Sequence, residues 1–279
     1  MYALIDTTTV AQTVPLQQAE VFEFIHQNPV LSSSLWANVA LAGLAILLFV
    51  YMGRGIESPR AQLIWVAALL VPLVSLASYV GLASGLTAGF LEMPPGHPLG
   101  GEEVFQPWGR YLTWTFSTPA ILAALGLLAG TDTAKLFTAI SMDVGMCVTG
   151  LAAALVTSSV ALRWVFYLVS CAFFVVVLYI LLVEWAADAR AAGTADIFDT
   201  LKLLTVVLWL GYPIIWALGV EGFALVQSAG LTSWGYSALD ILAKYVFAFL
   251  LLQWVAANES VVTATGSRST DAGAAPADD

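Results

Sequence analysis

Charge is scarce in this sequence, and so are cysteine and histidine. Only 10% of the 279 residues are charged, against roughly a quarter in an ordinary soluble domain. With 60% hydrophobic residues and a mean hydropathy of +0.88, the chain lacks the polar surface that water requires. This composition excludes a soluble globular domain, a disordered chain, collagen and a coiled coil, and it indicates that lipid is the solvent.

Positive charge is the scarcer kind, because 9 Lys and Arg stand against 19 Asp and Glu. Nucleic acid needs a basic surface, so it is excluded as a partner. The two cysteines, Cys147 and Cys171, lie in apolar stretches. They are interpreted as small core residues and not as a disulfide, a nucleophile or metal ligands, and no metal site is predicted.

Seven apolar runs predict an all-α membrane protein, a seven-transmembrane-helix bundle. We expect an extracellular N-terminal segment over residues 1–31, the bundle over 32–257 and a disordered cytoplasmic tail over 258–279. A short amphipathic stretch is expected to stop at Pro29, and the Gly- and Pro-rich segment from Thr87 to Pro107 predicts a structured loop or hairpin. The runs lie near residues 32–53, 61–86, 108–129, 134–157, 162–188, 197–225 and 232–257.

The basic residues predict the orientation, since loops rich in Lys and Arg stay in the cytoplasm. With the N-terminus outside, Arg163 is the one loop cation on the outer side. The other loop cations then lie on the cytoplasmic side: Arg54, Arg60, Lys135, Arg190, Lys202 and Arg268. The chain is therefore predicted to be a multi-pass cell-membrane protein with a cytoplasmic C-terminus.

Ionisable residues inside the predicted spans indicate a functional site. Lys244 lies deep in the seventh run, and Asp240, four residues earlier, shares its helical face. One interpretation is a buried ion pair that fixes helix packing. The other is a lysine whose desolvated amine forms a Schiff base with an aldehyde.

The third run places Arg110, Thr113 and Ser117 at i, i+3 and i+7, which is one face of a helix. Hydroxyls in membrane helices often bond only to their own backbone. An arginine followed by two hydroxyls on one face nevertheless predicts a small cationic site lined with donors.

Other polar or aromatic residues have plainer interpretations. The stripe of Trp209, Tyr212 and Trp216 in the sixth run is typical of a helix core. Asp143 has no cation nearby in sequence and is expected to be protonated. Glu221, at the outer end of the sixth run, is expected to be solvated. His26 and His97 are expected to lie on the surface.

Taken together, these features resemble the microbial rhodopsins, and most closely the archaeal halorhodopsins, which are light-driven inward chloride pumps. The resemblance extends from Ser32 to Val262. It is carried by the stretches SSSLWANVALAGLAILLFVYMGR, SYVGLASGLT, WGRYLTWTFSTP, LFTAISMDVGMCVTGLAAAL, GTADIFDTLKLLTVVLWLGYPIIWALGVEG and TSWGYSALDILAKYVFAFLLL.

The resemblance implies all-trans retinal bound to Lys244 as a protonated Schiff base, with Asp240 as counterion. It implies a hydrogen bond between Thr118 and Asp143, and a release path along Thr205 and Lys202. The retinal contacts that it implies are Trp114, Thr118, Met146, Gly150, Ser170, Phe174, Trp209, Tyr212 and Trp216. The implied chloride site comprises Arg110, Thr113, Ser117, Asp240 and Lys244.

Three positions in the third run distinguish chloride from proton transport. Proton pumps of the family carry carboxylates where this chain has Thr113 and Ala124, and Ser117 lies between them. Charge gives the same answer: the Schiff base and Arg110 are each +1 and Asp240 is −1, so a buried charge of +1 remains for an anion to neutralise. Isomerisation of retinal from all-trans to 13-cis would then switch the anion from the extracellular to the cytoplasmic side. Thr115 and Phe116 depart from the usual halorhodopsin residues, but off this face, so a small effect is expected.

The function expected is that of an ion transporter and not of an enzyme. Alternatives are a light-driven proton pump or a sensory rhodopsin of the same fold, and a retinal-free transporter with a structural Lys–Asp pair. The expected partners are membrane lipid, chloride and further copies of the chain in a homotrimer, with a carotenoid as a candidate ligand.

Overall fold

The described residues contain seven helical segments long and apolar enough to cross a membrane, as predicted. The computed structural model describes residues 7–264, with side chains from residue 17 onward. The helices are α1 (Thr7–Gln27), α2 (Pro29–Met52), α3 (Pro59–Ala83), α4 (Gly109–Ala129), α5 (Thr133–Leu155), α6 (Val160–Tyr179), α7 (Trp185–Ala192), α8 (Ala195–Leu218), α9 (Ala229–Asp240) and α10 (Phe247–Ala257). A short 3-10 turn, Gly53–Gly55, follows α2.

Two of the spans contain a π-helical segment. Ile180–Glu184 joins α6 to α7, and Ile241–Val246 joins α9 to α10. The fifth span therefore runs over Val160–Ala192 and the seventh over Ala229–Ala257. The six residues of the second π segment include Lys244.

Capping side chains explain where the spans begin. Asn28 accepts a hydrogen bond from the backbone N–H of Leu31 at 3.0 Å, and Pro29 occupies the first helical turn, where its missing N–H costs nothing. Pro29 thus starts α2 as well as ending α1, so the predicted start of the bundle at residue 32 is late. The other capping residues are Ser58, Asp132, Ser159 and Ser228.

The predicted end of the sixth span at residue 225 is wrong, and so is the disorder predicted directly after residue 257. Helix α8 ends at Leu218, because Gly219 leaves the helix with φ −75° and ψ −175°. Beyond Asn258, residues 259–264 are helical, and Val262 is 1% exposed because it packs into the bundle core. The disorder predicted from residue 258 is therefore incorrect for these residues, and residues 265–279 lie outside the described range.

A β-hairpin covers one end of the bundle. Strands β1 (Gly89–Glu92) and β2 (Glu103–Gln106) pair antiparallel with Glu92 opposite Glu103, as the loop composition predicted. Phe24 of α1 packs on Phe90 and Phe105, with ring centroids 5.3 and 5.2 Å apart. This end of the bundle is where α3 ends and α4 begins.

Helix α4 and the seventh span are the two most deeply buried spans. Large apolar side chains on the other helices face outward, as in Leu47, which is 71% exposed. A bundle with an apolar exterior matches lipid as the solvent. The polar residues that the sequence singled out therefore converge on the two central spans.

Candidate functional site

Lys244 and Asp240 form an ion pair in the bundle interior. Nζ lies 3.0 Å from Oδ1, and both side chains are 1% exposed. Asp240 Oδ1 also accepts a hydrogen bond from Tyr212 and Oδ2 accepts one from Tyr79, each at 2.7 Å. Sequence analysis did not identify Tyr79 as a site residue. The feature that could have pointed to it is a phenol hydroxyl inside a predicted span.

Arg110, Thr113 and Ser117 share one buried face of α4, as predicted, and are 3%, 2% and 0% exposed. Arg110 donates to Tyr79 OH at 3.3 Å and to Ser233 Oγ at 2.6 Å. Thr113 donates to the carbonyl oxygen of Gly109 at 3.0 Å. Ser117 Oγ has no hydrogen-bond partner among the described residues.

Gly109 allows α4 to begin directly against the loop that follows α3. Its N–H donates to the carbonyl oxygen of Thr87 at 2.8 Å. A Cβ at this position would overlap the Thr87 side chain. Gly109 therefore sets the depth at which the next residue, Arg110, enters the bundle.

A cavity lies beside the Lys244–Asp240 pair, with about 690 Å³ of space not filled by atoms, including space open to solvent. All nine residues predicted as retinal contacts line it: Trp114, Thr118, Met146, Gly150, Ser170, Phe174, Trp209, Tyr212 and Trp216. The sequence did not predict the other lining residues as retinal contacts: Tyr111, Cys147, Tyr167, Cys171, Pro213 and Tyr236. Lys244 and Asp240 adjoin the cavity through Tyr212, which bonds Asp240.

The walls of this cavity suit a flat apolar molecule. Tyr167 stacks on Trp216 with ring centroids 4.5 Å apart, and Trp114 meets Tyr212 edge-on at 5.1 Å. A Cβ at Gly150 would make ordinary contacts with Ser170 Oγ at 3.4 Å and with the Tyr111 ring at 3.5 Å. Aromatic walls and a buried lysine amine together fit an apolar aldehyde that condenses with Lys244.

The hydrogen bond predicted between the third and fourth spans is confirmed. Thr118 donates to Asp143 Oδ2 at 2.6 Å, and Asp143 is fully buried. Its Oδ1 has no partner among the described residues.

Thr205 and Lys202 lie on α8, apart from the ion pair. Thr205 is 1% exposed and donates to the carbonyl oxygen of Leu201 at 2.9 Å. Lys202 pairs with Asp199 at 2.6 Å. No hydrogen bond in the described part of the chain joins either residue to Arg110, Ser117 or Lys244.

Two of the residues expected at the surface are buried. Glu221 is 7% exposed and accepts hydrogen bonds from Gln106 Nε2 and Tyr111 OH, each at 2.7 Å. His97 is 6% exposed. Both expectations are wrong because the hairpin folds over this end of the bundle, which a linear hydropathy pattern does not reveal. His26 is exposed, as predicted.

A second cavity opens in front of Arg110 at the hairpin end. It has about 890 Å³ of space not filled by atoms. Arg110, Glu221, Ser233 and Tyr236 form part of its wall, together with Phe24 of α1. Arg110 therefore stands between this outer cavity and the interior hydroxyls of α4.

Comparison with known proteins identifies the class. The family model described as bacteriorhodopsin-like protein matches residues 29–258, and the chain belongs to this family of seven-helix, multi-pass membrane proteins. It is 71% identical over 273 residues to a halorhodopsin of Halobacterium halobium (strain port), covering 98% of this chain and 99% of that one. It is 70% identical over 273 residues to a halorhodopsin of Haloarcula marismortui, with the same coverage. A solved structure described as halorhodopsin, a light-driven chloride pump, matches with a TM-score of 0.83 and 67% identity, over 85% of this chain and 99% of that one.

Proposed function

We propose that this protein is a light-driven inward chloride pump that binds all-trans retinal covalently at Lys244, with Asp240 as counterion. The observation that carries the proposal is a buried cationic site with an unpartnered hydroxyl. Arg110 is 3% exposed, and no carboxylate in the described part of the chain lies within 4.0 Å of it. The high identity to halorhodopsins supports the same function.

Charge explains why the cargo is an anion. A protonated nitrogen at Lys244 and the Arg110 guanidinium supply two positive charges, and Asp240 supplies one negative charge. The remaining buried positive charge costs several kcal/mol unless it is neutralised. Ser117 Oγ, which is buried without a partner, provides a donor for an anion held between these groups. Thr113 provides a second hydroxyl when it turns away from the carbonyl oxygen of Gly109, to which it donates here.

Retinal, when bound, supplies light absorption and an isomerisation from all-trans to 13-cis that redirects the N–H bond at Lys244 Nζ. Thr113 cannot take the proton from Nζ, and Ala124 cannot return one, so the proton stays on the nitrogen. Ser117 and Thr113 hold the anion on the outer side of Lys244. Thr205 and Lys202 are proposed to receive it on the cytoplasmic side, and Arg110 attracts the next anion from the outer cavity.

The assembly and topology remain part of the proposal. We place the N-terminus outside, the segment before Pro29 on the extracellular side, Pro29–Ala257 as the retinal-binding domain and the C-terminal tail in the cytoplasm. A homotrimer, and a carotenoid at its interfaces, stay predictions.

Light-driven ion movement in retinal-loaded vesicles or cells tests the function. Inward chloride transport makes protons follow passively, so the external medium becomes alkaline. This pH change should grow when a protonophore is added and vanish when sulfate replaces chloride.

Other outcomes identify the alternatives. A pH change that a protonophore abolishes and sulfate leaves intact indicates a proton pump. A visible band without net ion movement indicates a sensory protein. No visible band after retinal is added indicates a transporter without retinal, in which Lys244 and Asp240 have a structural role.

A further inference from the structure

A chain of two serine hydroxyls connects the Arg110 guanidinium to the first span. Arg110 Nη2 donates to Ser233 Oγ at 2.6 Å, and Ser233 Oγ lies 2.6 Å from Ser34 Oγ. Ser34 donates to the carbonyl oxygen of Leu31 at 2.7 Å. Ser34 and Ser233 are 0% and 4% exposed, so both hydroxyls are buried.

Arg110 and Ser34 are the donors in two of these bonds, whereas the distance alone allows either hydroxyl to donate between Ser34 and Ser233. A hydroxyl carries one proton, and Ser34 gives its proton to a carbonyl oxygen, which can only accept. Ser34 therefore accepts in its contact with Ser233, and the Ser233 proton is committed to Ser34. Ser233 consequently presents only lone pairs to Arg110. Hydrogen bonds aligned in this way polarise one another and favour a cation at the head of the chain.

The fixed order decides which donors remain for an anion. Ser233 lines the outer cavity but has no proton to offer there. Nη1 of Arg110 is bonded to Tyr79 and Nη2 to Ser233. Each of these nitrogens carries a second N–H, and Nε, a buried donor, has no partner among the described residues, so the Nε side of the guanidinium is left open to an incoming anion.

We propose that Ser233 and Ser34 are positioning residues for chloride uptake, because their fixed hydroxyl order holds Nη2 of Arg110 toward the first span and leaves Nε free. The inference rests on the proposed function, since it assumes that Arg110 attracts chloride. It adds a contribution from α2, a helix outside the retinal cavity.

The test is a chloride titration of the retinal-loaded protein in lipid, followed by the shift of the visible absorption band. We expect Ser233→Ala to weaken apparent chloride affinity by roughly tenfold, as for loss of one hydrogen bond to a charged group. Ser34→Ala should weaken it by roughly threefold, because Ser233 keeps its lone pairs but loses its fixed order. The double variant should bind chloride no more weakly than Ser233→Ala does, because Ser34 acts through Ser233.

Ser33→Ala is the matched control. Ser33 neighbours Ser34 on α2 but is exposed and donates to the carbonyl oxygen of Val30, so its removal should leave the affinity unchanged. The inference is overturned if Ser233→Ala binds chloride with unchanged affinity. It is also overturned if the affinity loss of the double variant equals the product of the losses in the two single variants. If Ser233 and Ser34 served only in packing, their substitution would lower the bleaching temperature without this non-additive effect on chloride affinity. If the unmodified protein shows neither a chloride-dependent band nor chloride transport, the proposed function itself fails.

Discussion

At the scale of single residues, the charge of the site is set by how few carboxylates surround Lys244. Each carboxylate oxygen of Asp240 accepts a hydrogen bond from a tyrosine hydroxyl, Oδ1 from Tyr212 and Oδ2 from Tyr79. In the described chain, Lys244 makes its one ion pair with Asp240. A second carboxylate introduced on the α4 face would therefore change the net charge directly.

Thr113→Asp should convert the anion site into a proton-accepting site. The new carboxylate would neutralise the buried positive charge, remove the need for chloride and take the Schiff-base proton after illumination. We expect light-driven proton movement that persists in sulfate, measured as external pH in vesicles. Thr113→Asn, which is similar in shape but cannot ionise, should not produce it. An intact chromophore without proton movement in Thr113→Asp would contradict the charge argument.

Ser117→Ala should weaken chloride binding without destabilising the protein. Ser117 Oγ is buried without a partner, so its removal leaves no other group unpaired, whereas a bound anion loses a donor. We expect roughly tenfold weaker affinity in a titration of the visible band, and an unchanged bleaching temperature without chloride. Thr115→Ala is the control, because that hydroxyl already donates to the carbonyl oxygen of Tyr111. Equal affinities in Ser117→Ala and the unmodified protein would remove Ser117 from the anion site.

Sequence spacing predicted the part of the site that one helix supplies. Arg110, Thr113 and Ser117 follow helical periodicity, so their common face was visible in the sequence. Tyr79 and Ser233 reach Arg110 from other spans, and no periodicity within one run relates residues of different helices. Their roles therefore required the packed structure.

At the scale of elements, helix length was predictable but helix type was not. The seventh apolar run predicted one continuous helix, whereas residues Ile241–Val246 are π-helical. An apolar run indicates that backbone groups must be paired, but α and π hydrogen bonding both satisfy that demand. The π segment includes Lys244, in keeping with the tendency of such segments to occur at functional sites.

The β-hairpin should loosen from the bundle at acidic pH. Burial lowers the pKa of His97, the Gly222 backbone partly opposes this, and the Arg163 charge lowers the pKa further. His97 Nδ1 accepts the N–H of Leu99 at 3.1 Å, which requires that this nitrogen carry no proton. Because the folded pKa is depressed, this stabilisation is present above the ordinary value near 6.5 and is lost as the pH falls through the folded pKa.

Hydrogen exchange of a peptide containing Leu99 measures this loss. Between about pH 7 and about pH 5, protection of the Leu99 amide should fall after correction for intrinsic exchange. His97→Gln, which cannot titrate in this range, should show no such step. The same step in both proteins would assign the pH dependence to another group.

At the scale of the whole molecule, the two ends of the bundle differ in charge. Lys135 at the start of α5 pairs with Asp188 near the end of α7 at 3.0 Å, and Arg60 at the start of α3 donates to Leu127 near the end of α4. Most of the loop cations lie at the end of the bundle opposite the hairpin: Arg54, Arg60, Lys135, Arg190 and Lys202. Arg163 lies at the hairpin end, where it is buried against the carbonyl oxygen of Glu221. From this distribution, the positive-inside rule predicts that the hairpin lies outside the cell.

Cysteine labelling in intact cells tests that orientation. Glu102→Cys on the hairpin should react with a membrane-impermeant maleimide before cells are permeabilised, and Asp196→Cys at the start of α8 only afterwards. Both positions are exposed, and the unmodified protein is the control, because Cys147 and Cys171 lie within spans. The reverse pattern would place Arg110 and the outer cavity on the cytoplasmic side. The anion would then be taken up from the cytoplasm, so the same charge arrangement would drive chloride outward.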